Sequence, residues 1–257
     1  MDEAKLRTVL FVCDWAVNPN EITDELHPTS SVDVQTVKVK CTGRIDPVVV
    51  LESFLRGFDG VLIVGCEPKN CHFIEGNLHA ERKAKMMKRL FELAGFQTER
   101  LVLKWSSASD EGRFMILVKE FADLIEKLGS SPLSGVHIDQ DLRERMLAAK
   151  AVVEDFRIRA LVGKELELTE KGNVYGEQLL PLEFEEFEEE ALETEFLRHR
   201  IRLLLRTPLS VKELSHRLSL DARSVLRQIV AMRQMGIVHL DRIEGTTPLY
   251  GAWEAQR

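Results

Sequence analysis

Three apolar, β-branched runs in the first 66 residues each hand over directly to a cysteine: TVLFV to Cys13, VQTVKVK to Cys41 and DGVLIVG to Cys66, with Cys71 closing the loop GCEPKNC. Runs of this kind read as strands. Stretches of 3.6-residue period lie between them, and a chain that alternates in this way builds a parallel sheet with helices on its faces. In such a sheet the carboxyl ends of the strands share one edge, where ligand sites form. Cysteines far apart in sequence can therefore meet there, and these four are all the chain has.

The pattern predicts strands at 7–13, 33–40, 59–65 and 99–105 and helices at about 47–57, 77–95 and 110–128, with Asn77 as N-cap of the second helix and Gly95 as its end. A flavodoxin-like strand order of 2-1-3-4 places the three cysteine-bearing strands side by side. Near residue 130 the composition changes. GSSPLSG reads as a hinge, IDQDLRERMLAAKAVVEDFRIRALVGKE as a helical stretch, and KGNVYGEQLLP as a loop. The segment EFEEFEEEALETE holds eight glutamates, but Phe184 and Phe187 interrupt them at helical spacing, which favours an amphipathic helix. After it come a helix at FLRHRIRLLLR, helices capped by Ser210 and Asp221, and a hairpin around EGTT. Three helices and a hairpin resemble a winged helix. The expected class is thus α/β. A flavodoxin-like parallel sheet (1–130) carries the cysteines, a helical linker with the acidic segment follows (131–195), and a small winged-helix-like α+β domain closes the chain (196–257).

Among the 257 residues no run of about 18 is apolar, so no membrane span is expected. The start, MDEAKLRTVLFVCDW, reads as a first strand and not as a signal peptide. The expected location is cytoplasmic, where clustered thiols stay reduced and serve metal or redox chemistry. A net charge of −7 argues against wholesale nucleic-acid coating. From Phe196 onward, however, 11 Lys/Arg stand against 5 Asp/Glu, and Arg223, Arg227 and Arg233 lie on the would-be recognition helix, which the preceding acidic segment can cover.

The cysteine spacing is C-x27-C-x24-C-x4-C. Thiolates suit zinc or iron–sulfur clusters. Structural zinc favours paired C-x2-C knuckles, whereas one C-x4-C with two distant cysteines is closer to the plant-type two-iron arrangement, and four cysteines satisfy a [2Fe–2S] cluster without another ligand. Zinc, a Rieske-type site using His72 and His79, and four unrelated buried thiols are the alternatives. Arg44, Lys69 and Arg82 are placed either to offset the charge of a thiolate-bound centre or to form ordinary surface ion pairs. Trp15 either shields the centre or packs, and Met86 and Met87 read as core. The chain has no G-x-G-x-x-G, P-loop, G-x-S-x-G or H-E-x-x-H, and CDWAVNPNE offers no phosphate cradle for a flavin of its own. Such a protein moves electrons and leaves bond chemistry to others.

FVCDW, VKCTGRIDP, GCEPKNCHF and GNLHAERK together resemble, in order and spacing, the delta subunit of methyl-viologen-reducing (F420-non-reducing) hydrogenase, over about residues 5 to 128. The resemblance implies a [2Fe–2S] cluster on Cys13, Cys41, Cys66 and Cys71. It also implies a place in an electron-bifurcating oxidoreductase complex of anaerobes, relaying electrons to or from the FAD-containing heterodisulfide reductase A-like subunit, with other redox subunits beside it and without turnover by itself. Two departures stand out: Ala16 replaces the second cysteine of a frequent C-x-x-C, and Glu67, Pro68, Lys69 and Asn70 stand where His-Pro-Gly-Asp is common. Similar subunits also serve class II benzoyl-CoA reductase and methylenetetrahydrofolate reductase complexes, so the terminal substrate stays open. The alternative from another class is an iron–sulfur redox-sensing DNA-binding regulator.

Overall fold

The structure, a computed structural model, describes residues 5–23, 25–110, 112–172 and 174–253. Glu111, within the expected third helix, Asn173, within the expected loop, and both extreme termini lie outside the described residues. The chain divides into two units, Met1–Glu189 and Glu190–Arg257.

In the first unit β1 (Leu6–Cys13), a two-residue strand β2 (Glu25–Leu26) and β3 (Val32–Val39) are followed by α1 (Pro47–Leu55), β4 (Gly60–Cys66), α2 (Gly76–Ala94), β5 (Leu101–Ser106) and α3 (Arg113–Leu128). The sheet runs β2-β3-β1-β4-β5, so its four long strands are parallel in the expected order 2-1-3-4, and β2 adds an antiparallel edge that the sequence pattern missed. β4 is buried along its whole length, as a central parallel strand covered on both faces must be. Phe114, Leu117, Val118 and Phe121 of α3 pack with Leu10, Val12, Leu62 and Val64. Phe54, Phe91 and Phe96 form an edge-to-face aromatic trio, and Met86 and Met87 are core, as read from the sequence.

The caps explain the helix limits. Asp46 accepts the N–H of Val48 at 3.0 Å with Pro47 in the first turn of α1, and Gly95 ends α2 at φ +71°, a conformation open to glycine. Arg100 is only 1% exposed, yet all five of its N–H donors are satisfied. Nε donates to Gln97 Oε1, Nη1 to the carbonyls of Asp59 and Gly129, and Nη2 to those of Leu128 and Ser130, at 2.7–3.2 Å. It ties the end of α3 to the start of β4.

Beyond residue 130 the single helical stretch divides at Asp155 into α4 (Gln140–Glu154) and α5 (Phe156–Leu166), because the Asp155 carboxylate accepts the N–H of Arg157 and starts a new helix. α4 and α5 pack against α1 and α2. The acidic segment and the helix after it form one element, α6 (Pro181–Leu204). Phe184 is buried, but Phe187 is 58% exposed and does not share its face, which corrects the amphipathic pairing expected for them. Within the first unit Glu185 pairs with Lys85 at 3.0 Å and Glu189 with Arg89, so part of the acidic run faces the basic side of α2.

The second unit holds the end of α6, then α7 (Val211–Leu218), α8 (Ala222–Gln234) and an antiparallel pair, β6 (Val238–Glu244) and β7 (Thr247–Ala252). Ser210 and Glu213 form a reciprocal capping box, and Asp221 accepts two N–H groups at the start of α8, as expected. Ile201, Leu205, Leu214, Val225, Ile229 and Met232 make its core. Arg223 and Arg227 are exposed, while Arg233 lies 5.9 Å over the Tyr250 ring. Among the described residues no helix is long and apolar enough to cross a membrane.

Candidate metal centre

The carboxyl edge of the sheet gathers the thiols. Cys13 ends β1 and Cys66 ends β4, its neighbour, and their sulfurs lie 3.7 Å apart. Two thiolates bound at about 2.3 Å to one tetrahedral ion stand roughly 3.7 Å apart, so this pair already has the spacing of shared ligands. Cys41 lies just past β3 at the start of the turn Thr42–Arg44, and Cys71 in the loop from β4 to α2. The sulfurs of Cys41 and Cys71 both crowd the Cα of Gly76: a Cβ there would stand 2.3 Å from the first and 3.4 Å from the second. All four cysteines are free thiols; three are buried and Cys71 is partly exposed.

Two glycines make this convergence possible. Gly43 presses against Gly76, where a Cβ on Gly43 would fall 2.4 Å from the Gly76 carbonyl oxygen, so the turn after Cys41 and the first residue of α2 meet backbone to backbone. Asn77 is not the N-cap expected of it. Its side chain is buried, and its Nδ2 donates to the carbonyls of Glu67 at 3.0 Å and Cys66 at 3.4 Å, clamping the cysteine loop onto the helix start. Neither the glycine contact nor this clamp was recognised from the sequence. The signals available were the glycines of CTG and EGN, each close to a cysteine or to the helix start.

Burial pushes the thiol pKa of Cys66 up to about 12, with Cys13 and Cys71 adding to the rise and the His72 N–H opposing it. Cys41 is raised for the same reason, partly offset by the N–H groups of Gly43 and Arg44. Thiols raised in this way, as Cys41 and Cys66 are, give up their protons most readily when a cation takes their place, which is how thiolate metal sites load. Soft donors gathered as two neighbouring pairs, Cys13 with Cys66 and Cys41 with Cys71, fit a thiolate-bound iron–sulfur or metal centre.

The other residues singled out in the sequence take different places. His72 is exposed and stacks on Trp15, itself half exposed, with ring centroids 3.6 Å apart, so Trp15 does not pack in the core. His79 lines a cleft beside α2. Arg82 pairs with Glu165 at 2.9 Å, and Lys69 is exposed at φ +71°. Arg44 donates its backbone N–H to the Cys41 carbonyl at 3.0 Å, closing the turn, while its side chain is exposed.

A family profile described as methyl-viologen-reducing hydrogenase, delta subunit, matches residues 8–129, a span that includes all four cysteines. The chain is 33% identical over 129 residues to the iron-sulfur subunit of the F420-non-reducing hydrogenase of Archaeoglobus profundus, a match that covers 50% of this chain and 94% of that one. This chain belongs to the methyl-viologen-reducing hydrogenase delta-subunit family. A second relative of this type, the iron-sulfur subunit of the vhc F420-non-reducing hydrogenase of Methanococcus voltae, is 32% identical over 131 residues, 49% of this chain and 89% of the relative. The delta-subunit region also resembles part of a longer protein. Over 122 residues it is 31% identical to the A-type subunit of ferredoxin:CoB-CoM heterodisulfide reductase from Methanosarcina mazei, covering 47% of this chain and 15% of that one. Relative to the delta-subunit match, α4 to α8 and the β6–β7 hairpin are additions.

Proposed function

We propose that this chain is the electron-transfer iron–sulfur subunit of a cytoplasmic, electron-bifurcating oxidoreductase complex, with a [2Fe–2S] cluster held by Cys13, Cys41, Cys66 and Cys71. The observation that carries this reading is the convergence of the four thiols on one sheet edge, with Cys13 and Cys66 at 3.7 Å and Cys41 and Cys71 together on Gly76. Two relatives covered nearly end to end are named iron-sulfur subunits, which supports the choice of cluster over zinc.

Such a cluster supplies reversible one-electron storage. The protein's part is to fix the sulfurs and tune them. The backbone N–H groups of Gly43 near Cys41 and of His72 near Cys66 oppose the rise in thiol pKa, and N–H dipoles so placed favour the reduced, more negative state. Cys71, the least buried ligand, lies beside the exposed Trp15, His72 and Phe73, which makes this rim the short way out for an electron. The partner proposed is the FAD-containing heterodisulfide reductase A-like subunit. In Methanosarcina mazei a similar stretch of about 120 residues is built into the A-type reductase chain itself, and a domain fused to a protein in one organism is a natural partner when encoded apart. The second unit we read as a winged-helix-like module that docks to protein, since part of the acidic segment is spent on α2 and Arg233 on Tyr250.

Anaerobically purified protein should carry two irons and two acid-labile sulfides per chain and give an S = 1/2 EPR signal after dithionite reduction. Zinc without sulfide would end the electron-transfer reading.

A further inference from the structure

Beside α2 the first unit opens a cleft of about 330 Å3, bounded by the turn after Cys41, the start of α1 and α5. Although the chain carries a net charge of −7, this cleft gathers four cations, Arg44, Arg82, Lys83 and Arg159, with His79 as a further nitrogen donor, against one carboxylate, Asp46. That carboxylate is already committed: it caps α1, and both its oxygens accept from Arg159 Nη2, at 2.7 and 3.0 Å.

The remaining cations are only partly compensated. Lys83 is half-buried, and its Nζ donates to the neutral carbonyls of Gly43 at 2.7 Å and Ile45 at 3.2 Å. Arg82 is mostly buried; Glu165 stands 2.9 Å from its Nε and Glu170 3.7 Å from its Nη2, but its Nη1 is buried with no hydrogen-bond partner among the described residues. Arg44 has no ion-pair partner among the described residues. Arg44 and Arg159 are exposed, but Lys83 and Arg82 Nη1 are held partly out of water without charged acceptors of their own, a cost that a bound anion would offset.

We propose that the cleft binds a small anion bearing a phosphoryl group. A phosphoryl group brings about two negative charges and three or more acceptor oxygens, enough to engage several cations at once, and arginine forks match it in geometry. A monocarboxylate would leave most of these donors unused. The apolar wall of Met86, Val153 and Val162 suits an organic body attached to that group, and the volume is that of a small-ligand site. The cleft adjoins the turn after Cys41, but none of the four cysteines lines it, and the proposal goes beyond the electron-transfer reading.

The test is calorimetric titration of the full chain at about 50 mM salt, where screening is modest, with inorganic phosphate, pyrophosphate and AMP as separate probes. Saturable binding of at least one probe at a single site is expected, weakened at least tenfold by Arg44→Glu and by Lys83→Gln. Arg44 is exposed, so Arg44→Glu should keep the wild-type melting temperature, and its loss of binding will not report misfolding. AMP binding more tightly than inorganic phosphate assigns the site to a phosphate ester; equal affinities assign it to free phosphate. No saturation by any probe up to about 5 mM, or unchanged affinity in Arg44→Glu, overturns the proposal. Iron measured on the same samples keeps the two readings apart, because a protein that binds phosphate but holds no iron refutes the relay and leaves this site standing.

Discussion

Replacing Gly76 by alanine tests the geometry of the centre without touching a cysteine. The new Cβ would lie 2.3 Å from the Cys41 sulfur, against an ordinary contact of about 3.5–4.0 Å, so the sulfur must retreat by more than about 1 Å. Metal–thiolate distances tolerate roughly 0.2 Å, so Cys41 would no longer reach the position its three partners define. The fold should survive. A cysteine side chain can turn to another rotamer, overpacking costs about 1–3 kcal/mol, and alanine at a helix start recovers at most about 1 kcal/mol of that. The assay has two arms. Anaerobically purified Gly76→Ala should hold less than half the iron and sulfide of the wild type with an unchanged far-UV spectrum. In metal-free protein, urea unfolding of Gly76→Ala, Cys41→Ala and the double variant should give a coupling energy of about 1–3 kcal/mol, the double variant being more stable than Gly76→Ala alone because the clashing atom is gone. Wild-type iron content in Gly76→Ala together with no measurable coupling would refute the argument.

Arg100→Met should leave the carbonyls of Asp59, Leu128, Gly129 and Ser130 without their shared donor and lower the stability of the first unit by about 3 kcal/mol, read as a fall of about 1 M in its urea midpoint. An unchanged midpoint would mean that water reaches those carbonyls. Glu188 is largely buried, and that burial, with Glu165 and Glu185 adding to it and Lys85 and Arg82 opposing, raises its pKa from 4.5 to about 7. The folded state then binds the proton more tightly than the unfolded one, so stability is fully present below about pH 4.5 and is lost as pH rises through 7, by up to about 3 kcal/mol. Glu188→Gln should therefore melt higher than the wild type at pH 8 and like it at pH 5; parallel melting curves at both pH values would disprove the assignment.

Much of the fold was legible because its strongest signals are local. β1 and β4 are continuous β-branched runs, and Gly95, Ser210 and Asp221 mark helix limits by their own chemistry. What was missed depends on contacts distant in sequence. β2 has two residues, too few for any period. Asp155 divides a helical stretch whose apolar spacing continues across the break. The acidic segment and the basic stretch after it read as two helices, but a helix is indifferent to the sign of charge on its surface, and the two run on as α6. On that helix Phe187 lies about 60° from Phe184 on one side and Glu188 about 40° on the other. Glu188 takes the inner position, with Lys85 and Arg82 opposing part of the cost of burying its carboxylate.

At the candidate centre, the sequence pointed to the cysteines through their position after strands, since a parallel sheet brings all such positions to one edge. The parts that set the sulfur positions were not visible in the same way. Gly43 and Gly76 matter because two backbones approach closely, and a glycine in sequence does not say which backbone it faces. Asn77 was read as a cap because an N-cap and an inward clamp ask for the same chemistry, a short side chain with a donor and an acceptor. What separates the two roles is whether the preceding loop folds back over the helix start. Here it does, and the Asn77 amide holds the carbonyls of Cys66 and Glu67 while its Oδ1 accepts the N–H of Leu78. The residue that looks like the beginning of a helix is therefore the anchor of the loop that carries two of the four thiols.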